Sequence, residues 1–423
     1  MITIGIDDTD SIEGMCTTYL LAILIEKLKG YPLLDLPRLV RLNPTIKYKT
    51  RGNAAVALKL DVNEEKEISK IWETALAVIE ELAHFKDPKT NPGAVLLKGE
   101  PPAELKAFAM RAVRDVLTIK EAKALIAKYK IKAKGYKNQR GLIGALAAAS
   151  LELNPYTYTY ELIAYREKTR VDTKRFIDRA SVFEADAATY PLTWDTVDLK
   201  NDLIVFAPHS PDPVLFGIRG DEINAIQKAF SMIKCEPVER AVLYRTNQGT
   251  DMHLIEAEIS EARNWRSYKL IGIVSKEPRT IEGGHVIFSI AKGENEIDCA
   301  AYQPTRQFRD IIRKLKAGDQ VAVYGSIKNW TLNLEKIEIL KLAKVYEVHN
   351  PKCWICGKRM KSAGRAQGYR CKRCRTTAQE LEKIEIKRDL IQGLYEVPPS
   401  ARRHLAMPLI RMRNLREDIF PSR

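Results

Sequence analysis

Ile2-Thr3-Ile4-Gly5-Ile6-Asp7-Asp8-Thr9-Asp10-Ser11 is the stretch on which the reading of the chain turns. Apolar residues at alternate positions predict a buried first strand, and Asp7, Asp8 and Asp10 fall within four residues where that strand should end. Three close carboxylates repel one another. A hard cation relieves that repulsion most simply, and a magnesium ion held by carboxylates usually also carries substrate phosphates. A short loop, Ile12-Glu13-Gly14, leads into a largely apolar helix over residues 15–28. Thr17 and Thr18 then sit in its first turn, where free backbone N–H groups and the helix dipole favour phosphate. Acidic loop, cation and helix end together predict a nucleotide site. The competing reading is an Asp-rich turn that only solvates a strand end and caps a helix.

Working outward, 423 residues are too many for one core, and three or four domains are expected. Lys and Arg number 69 against 54 Asp and Glu, a formal charge of +15, which points to a polyanionic partner, nucleic acid first. The excess is uneven: residues 351–378 carry nine Lys or Arg and no acid. No signal-like segment precedes the first strand, and no apolar run approaches the roughly 18 residues that span a bilayer. A cytoplasmic protein without a membrane anchor is expected.

Strands are predicted over residues 38–42 and 54–60, with Asn63 capping a long helix to about residue 84. The loop Thr50-Arg51-Gly52-Asn53 between the strands combines a cation and turn formers, so Arg51 and Asn53 are candidate substrate contacts; a simple hairpin turn fits as well. Two more helices are expected over residues 102–116 and 119–129. They lead into a basic, glycine-bearing stretch with Lys137, Arg140, Gly141 and Gly144 just before a helix over residues 145–151. Gly141 and Gly144 would let backbone approach an anion while Lys137 and Arg140 supply charge; close helix packing is the alternative use of such glycines.

The pattern over residues 156–260 is mixed α+β, with strands expected at 158–166, 202–207, 242–244 and 253–259 and a helix at 221–232. Two polar loops, one with Asp195 and Asp198 and one with Asn247 and Gln248, could line a substrate pocket. The two aspartates would suit a cationic ligand. Residues 266–342 give five strands with one helix between the third and fourth, the order of an OB barrel. Tyr302, Arg306, Tyr324, Lys328 and Trp330 would be its exposed aromatics and cations, the kind of surface that stacks single-stranded nucleic acid. Cys353, Cys356, Cys371 and Cys374 form two Cys-x-x-Cys knuckles fourteen residues apart, and four thiolates select a structural zinc with no open position. The tail beyond, with Arg402, Arg403, Arg411, Arg413 and Arg416, is expected to be helical and to share the ribbon's grip on phosphate.

There is no Gly-x-x-x-x-Gly-Lys-Ser/Thr loop, no Gly-x-Gly-x-x-Gly turn and no Ser-Gly-Gly-x-Asp-Ser loop, so ATP would bind in a less common fold. The chain closely resembles the archaeal tRNA(Ile) agmatinylcytidine synthetases. The likeness rests on residues 5–11 with Thr17-Thr18, Arg51-Gly52-Asn53-Ala54, residues 139–145, 214–220 and 245–251, the barrel order and the cysteine knuckles. It implies a multidomain α/β and α+β protein: a kinase-like ATP-binding catalytic domain (1–155), a ferredoxin-like domain (156–262), an OB fold (263–346), and a zinc ribbon with basic tail (347–423). It further implies that ATP, split to AMP and pyrophosphate, drives agmatine onto the 2-position of the wobble cytidine of an isoleucine tRNA with a CAU anticodon, through a phosphorylated base. Asp7, Asp8 and Asp10 would then handle magnesium and ATP, and Thr18 would be autophosphorylated. Another ATP-dependent tRNA-modifying enzyme, or a non-enzymatic nucleic-acid binder whose acidic loop only holds a cation, are the other readings.

Overall fold

The computed structural model describes residues 1–49, 52–154 and 157–423. The alternating apolar residues form β1 (Ile2–Asp7), flanked by β2 (Arg38–Arg41), β3 (Ala54–Leu60), β4 (Gly93–Lys98) and β5 (Lys132–Gly135). These strands are antiparallel neighbours in the order β5-β4-β1-β3-β2, so β1 is central and Ile4 pairs with both Leu58 and Leu96. Both faces are covered. Ile2, Ile4 and Ile6 pack with α1 (Thr17–Lys27) and α2 (Glu65–Leu82). On the other side Ala55, Val95 and Leu97 pack with α3 (Ala103–Arg114), α4 (Ile119–Lys128) and α5 (Gly141–Ser150).

Asn63 does not cap α2. Its side chain accepts from the Met1 ammonium instead, and the helix begins at Glu65 after Glu64. Helix α5 begins at Gly141, four residues earlier than expected, so both glycines lie inside the helix. Their use is close approach: a Cβ on Gly5 of β1 would fall 2.0 Å from the Ala145 carbonyl oxygen, so this glycine is what lets the small-residue helix lie on the strand.

The next segment contains β6 (Thr159–Arg166), α6 (Arg179–Thr189), β7 (Thr193–Trp194), β8 (Val197–Asp198), β9 (Leu203–Ile204), β10 (Val214–Gly220), α7 (Ile223–Met232) and β11 (Val238–Thr246). Its main strands run β11-β6-β10-β7, and β11 pairs in parallel with β2, Arg245 opposite Arg38, joining both segments in one nine-stranded sheet. The strand expected over residues 202–207 shrinks to β9, which pairs only with β8.

After β12 (Leu254–Glu256) come β13 (Ser267–Thr280), β14 (Val286–Lys292), β15 (Asn295–Ala301), α8 (Phe308–Arg313), β16 (Gln320–Lys328) and β17 (Thr331–Lys341). Pairings β13–β14, β14–β15, β15–β17, β17–β16 and β16–β13 close a five-stranded barrel. Trp330 is 65% exposed on it, and Tyr302 is also exposed. Tyr324 is not. Its hydroxyl donates to Glu338 at 3.0 Å, with Lys269 and Lys336 near its ring, so that ring is half-buried.

The cysteine knuckles stand at the end of a two-stranded arm in which Val345–His349 pairs with Glu382–Ile386. The chain then returns: Gly393–Glu396 adds to β17, and Ile419–Phe420 adds to Gly393–Glu396. The ribbon is therefore an insertion in the barrel's sheet. The expected helical tail is absent; residues 393–423 form these short strands and two 3-10 turns. Pro398, Pro399 and Pro408 interrupt any helix, and Arg402, Arg411 and Arg416 are drawn into ion pairs, that of Arg402 buried. Arg402 pairs with Asp195 and with Glu396 (2.8 Å), Arg411 with Asp221 (2.8 Å), and Arg416 with Glu338 (2.7 Å). These cations tie the tail to the other segments. Among the described residues no helix is long and apolar enough to cross a membrane.

Candidate active site

Asp7 ends β1, and the chain turns at once: Asp8 adopts a left-handed backbone (φ 60°). The turn is pinned from below, since Thr90 Oγ1 donates to the Asp10 carbonyl at 2.7 Å and buried Thr9 donates to Thr17 Oγ1 at 3.1 Å. Asp7, Asp8 and Asp10 thereby line a cleft with Tyr48, Lys49, Asn53, Arg140 and Gly144. Burial, then repulsion from Asp8, drives the Asp7 carboxyl well above the usual carboxylate range. Burial and repulsion from Asp10 push Asp8 up to about 7, against hydrogen bonds from Asn91 and the charge of Arg140. Arg140, at the start of α5, is the cation closest to balancing them and stands 4.2 Å over the Tyr48 ring. An acidic pocket whose own charges are this costly is suited to a divalent cation, with Arg140 and Lys49 placed for anionic oxygens.

A second cavity of about 1000 Å³ shares Asp10, Gly52 and Ala54 with the first. Cys16, Thr17, Thr18, Arg41, Glu161, Phe206, Asp212, Arg219 and His404 line it. Thr18, buried in the first turn of α1, has its Oγ1 3.0 Å from Cys16 Sγ, and its carbonyl accepts from the Tyr244 hydroxyl at 2.9 Å. Tyr244 in turn meets Tyr165 at 3.0 Å, and burial raises both phenols. Arg219 bridges Glu161 (3.0 Å) and His404 Nδ1 (2.8 Å). Desolvation by the surrounding protein, with Arg41, Arg219 and Lys49 nearby, lowers the His404 imidazole from its ordinary value although the residue is exposed toward the cavity.

Several expected site residues lie elsewhere or serve as framework. Lys137 is outside the cleft, its ammonium donating to the carbonyls of Phe85 (3.2 Å) and Asp87. Gly141 lies under the cleft against the Asp7 backbone, whereas Gly144 touches the Asp7 carboxylate. Asn53 lines the cleft and donates to the Asn43 carbonyl at 2.9 Å. Arg51 lies outside the described residues. Asp195 pairs with Arg402, and Asp198 accepts from Ser400 and Asn201 (2.7 Å). Asn247 and Gln248 are fully buried: Asn247 clamps the Arg41 backbone with bonds of 2.8 and 2.9 Å, and Gln248 binds Glu161 and Arg41 Nε. Sequence reasoning missed Glu161, Asp212 and His404. Only Arg219 lay within a stretch already singled out, residues 214–220.

Remote from the cleft, the sulfur atoms of Cys353, Cys356, Cys371 and Cys374 lie within 4.8 Å of one another. This is the one such group of potential ligands among the described residues. Cys353 Sγ is 3.2 Å from Thr376 Oγ1, and the Cys374 amide donates to Cys371 Sγ at 3.4 Å, contacts that steady thiolates. Four soft donors in this arrangement fit one tetrahedral zinc.

Comparison with known proteins places the whole chain. The TiaS TCKD domain matches residues 3–138, the TiaS FLD domain residues 139–253, and the TiaS C-terminal zinc ribbon domain residues 350–390. The chain is 55% identical to the tRNA(Ile2) 2-agmatinylcytidine synthetase TiaS of Methanosarcina mazei, over 99% of this chain and 100% of that protein. It is 50% identical to that of Archaeoglobus fulgidus, over 99% of each. Among solved structures, the TiaS-tRNA(Ile2)-ATP complex superposes with a TM-score of 0.93 at 48% identity, and the TiaS-tRNA(Ile2)-AMPCPP-agmatine complex with 0.90 at 45%. Each covers 100% of this chain and 99% of its own.

Proposed function

The chain belongs to the TiaS family, and from that membership we propose its reaction: ATP-dependent conjugation of agmatine to the 2-position of the wobble cytidine of isoleucine tRNA, giving agmatidine and enabling AUA decoding. The observation that carries this is likeness along the entire chain to enzymes of that activity, including solved complexes with tRNA(Ile2), an ATP analogue and agmatine. Such an enzyme is an ATP-dependent C–N ligase that works where tRNA is, in the cytoplasm.

The cleft supplies the chemistry. Asp7, Asp8 and Asp10 would hold magnesium, which would neutralise charge on the phosphates of ATP. Three carboxylates around one cleft, two of them pushed up by burial and mutual repulsion, fit that role. Arg140 would meet charge building on the transferred phosphoryl. Phosphorylating the cytosine 2-oxygen turns a poor leaving group into phosphate; the agmatine nitrogen then bonds to C2 as the C2–O bond breaks, and the amine gives up a proton. A stacked base cannot enter a pocket of this kind, so the cytidine is flipped out.

The second cavity, lined by Phe206 and by Asp10, Glu161 and Asp212 beside Arg41 and Arg219, is our assignment for agmatine, a slender dication. Thr18 lines the same cavity, and we read it as the acceptor of phosphate from the neighbouring cleft. We read residues 1–155 as the kinase-like unit. The order β11-β6-β10-β7, fourth-first-third-second with two helices, supports a ferredoxin-like unit, and the barrel's pairing order supports the OB assignment. The four cysteines would hold zinc as a structural ion.

Mass spectrometry of isoleucine tRNA after incubation with ATP and agmatine tests the proposal. A gain equal to agmatine less one water at the wobble cytidine is expected. ATP turnover without that gain points to a different modification, and no tRNA-dependent turnover at all points to a plain binder.

A further inference from the structure

Residues 214–220 and 245–251 meet along one wall of the second cavity in a single hydrogen-bonded row. Arg219 stands 2.8 Å from His404 Nδ1, and its Nε donates to Glu161 Oε1 at 3.0 Å. Gln248 Nε2 donates to Glu161 Oε2, and Gln248 Oε1 accepts from Arg41 Nε at 3.2 Å. Arg41, Glu161, Arg219 and His404 line the cavity, while Gln248 lies fully buried behind them. Gly217 makes room for the row, since a Cβ there would fall 2.6 Å from Glu161 Oε1. Asn247 fixes its far end: the side-chain oxygen accepts from the Arg41 amide, and the side-chain nitrogen donates to the Arg41 carbonyl.

A glutamine in the middle of such a row is a specific choice. A carboxylate only accepts and a guanidinium only donates, so the group between them must do one of each, and an amide does so without charge. Without it, a guanidinium beside a carboxylate forms a forked pair, and both are withdrawn from the cavity. Here Arg41 instead runs past the amide to the rim between the cavities. A Cβ on Gly52, which lines both, would fall 2.9 Å from Arg41 Nη1. Burial is the largest influence on this guanidinium and lowers it, with Glu161 opposing. A cation at this rim repels a dication in the second cavity; the anion that suits it comes from the neighbouring cleft.

We propose that Gln248 is a positioning residue: its amide is a neutral spacer between Arg41 and Glu161 that keeps the guanidinium at the shared rim, where it meets the anionic oxygens of the phosphoryl group in transit between the cavities. This inference rests on the functional reading above. Glu161, spared the same pairing, keeps its charge on the side assigned to agmatine.

The test exchanges the two side chains in the full-length protein. Glu161→Gln/Gln248→Glu keeps the composition, the net charge and the complementary hydrogen bonds of the row, but sets a carboxylate directly on Arg41. Gln248→Ala, which removes the spacer without adding charge, carries the test should the exchanged protein fail to fold. Product formed from isoleucine tRNA, ATP and agmatine gives kcat and the KM of each small substrate, and the melting temperature reports folding. The exchanged protein should melt like wild type. In both variants kcat should fall about 100-fold, as for loss of a donor aimed at developing charge, while the KM for ATP holds. Wild-type kcat in either folded variant overturns the proposal and leaves Gln248 as framework. A change confined to the KM for agmatine or for ATP overturns it too, because the row then serves binding alone. If wild type forms no agmatidine, the functional reading fails, and phosphate released from ATP in the presence of tRNA decides the spacer by the same comparison.

Discussion

The Asp7 carboxylate occupies the space that any side chain at position 144 would need: a Cβ built on Gly144 falls 2.0 Å from Asp7 Oδ2. The glycine in α5 thus sets where a carboxylate of the cleft can point. Gly144→Ala should push Asp7 aside and cost about 1–3 kcal/mol of stability through overpacking. Because misplacing a reacting group by about 1 Å can cost on the order of 100-fold in rate, turnover should fall by that much while tRNA affinity is retained. Turnover, melting temperature and tRNA affinity measured together check this; full activity would remove Asp7 from the reaction.

Asp8→Asn should abolish modification without unfolding the protein. The buried Asp8 carboxyl is raised from 3.8 to about 7. Its folded-state proton therefore favours the native form below about 4, and that benefit is lost as pH rises through about 7. Metal-free wild type should lose stability over this window relative to Asp8→Asn, and magnesium should restore it, most effectively above pH 7 where the ion displaces no proton. Melting curves against pH, with and without magnesium, read this out; parallel curves for the two proteins would sink the idea.

Replacing residues 350–381 by a short linker should spare the fold and ATP binding, because the two strands of the arm remain paired and the chain returns directly to β17. The loss should appear in tRNA affinity and in a shallower salt dependence. Truncation after Tyr346 should be far more damaging, since it also removes residues 393–423. Identical salt slopes for intact and ribbon-deleted protein would take the ribbon out of the tRNA interface.

Incubation with ATP labelled at the terminal phosphate should label the peptide containing Thr18, and Thr18→Ala should abolish that label. The buried hydroxyl lies on the second cavity, with Asp10 on the shared wall. Label that persists at the same peptide in Thr18→Ala would show the acceptor to be another residue.

What could be read in the residues beforehand follows from range. Period-two apolar alternation reports β1 and the barrel strands directly, and the cysteine knuckles carry their own spacing. The acidic turn was legible because its three carboxylates are neighbours in sequence. Glu161, Asp212 and His404 were not, because each is chemically ordinary among its neighbours and becomes part of a cavity only when β6, the 205–214 loop and the tail converge. The tail misled for the same reason. Its arginines resemble a nucleic-acid grip until Asp195, Asp221 and Glu338, distant in sequence, claim three of them.

The pairing of Asp195 with Arg402 spans 207 residues and imposes an order on biosynthesis. At about 5–20 residues per second, a ribosome delivers the arginine on the order of 10–40 s after the aspartate. Until then the loop carries a carboxylate whose final position is inside the protein without its counter-ion. The sheet of the second segment can form early, but the loop with Asp195 and the cavity wall with His404 close only when the distant segment arrives. The second cavity is therefore completed late, and a nascent chain stalled within the ribbon carries the acidic cleft beside a cavity that still lacks its His404 wall.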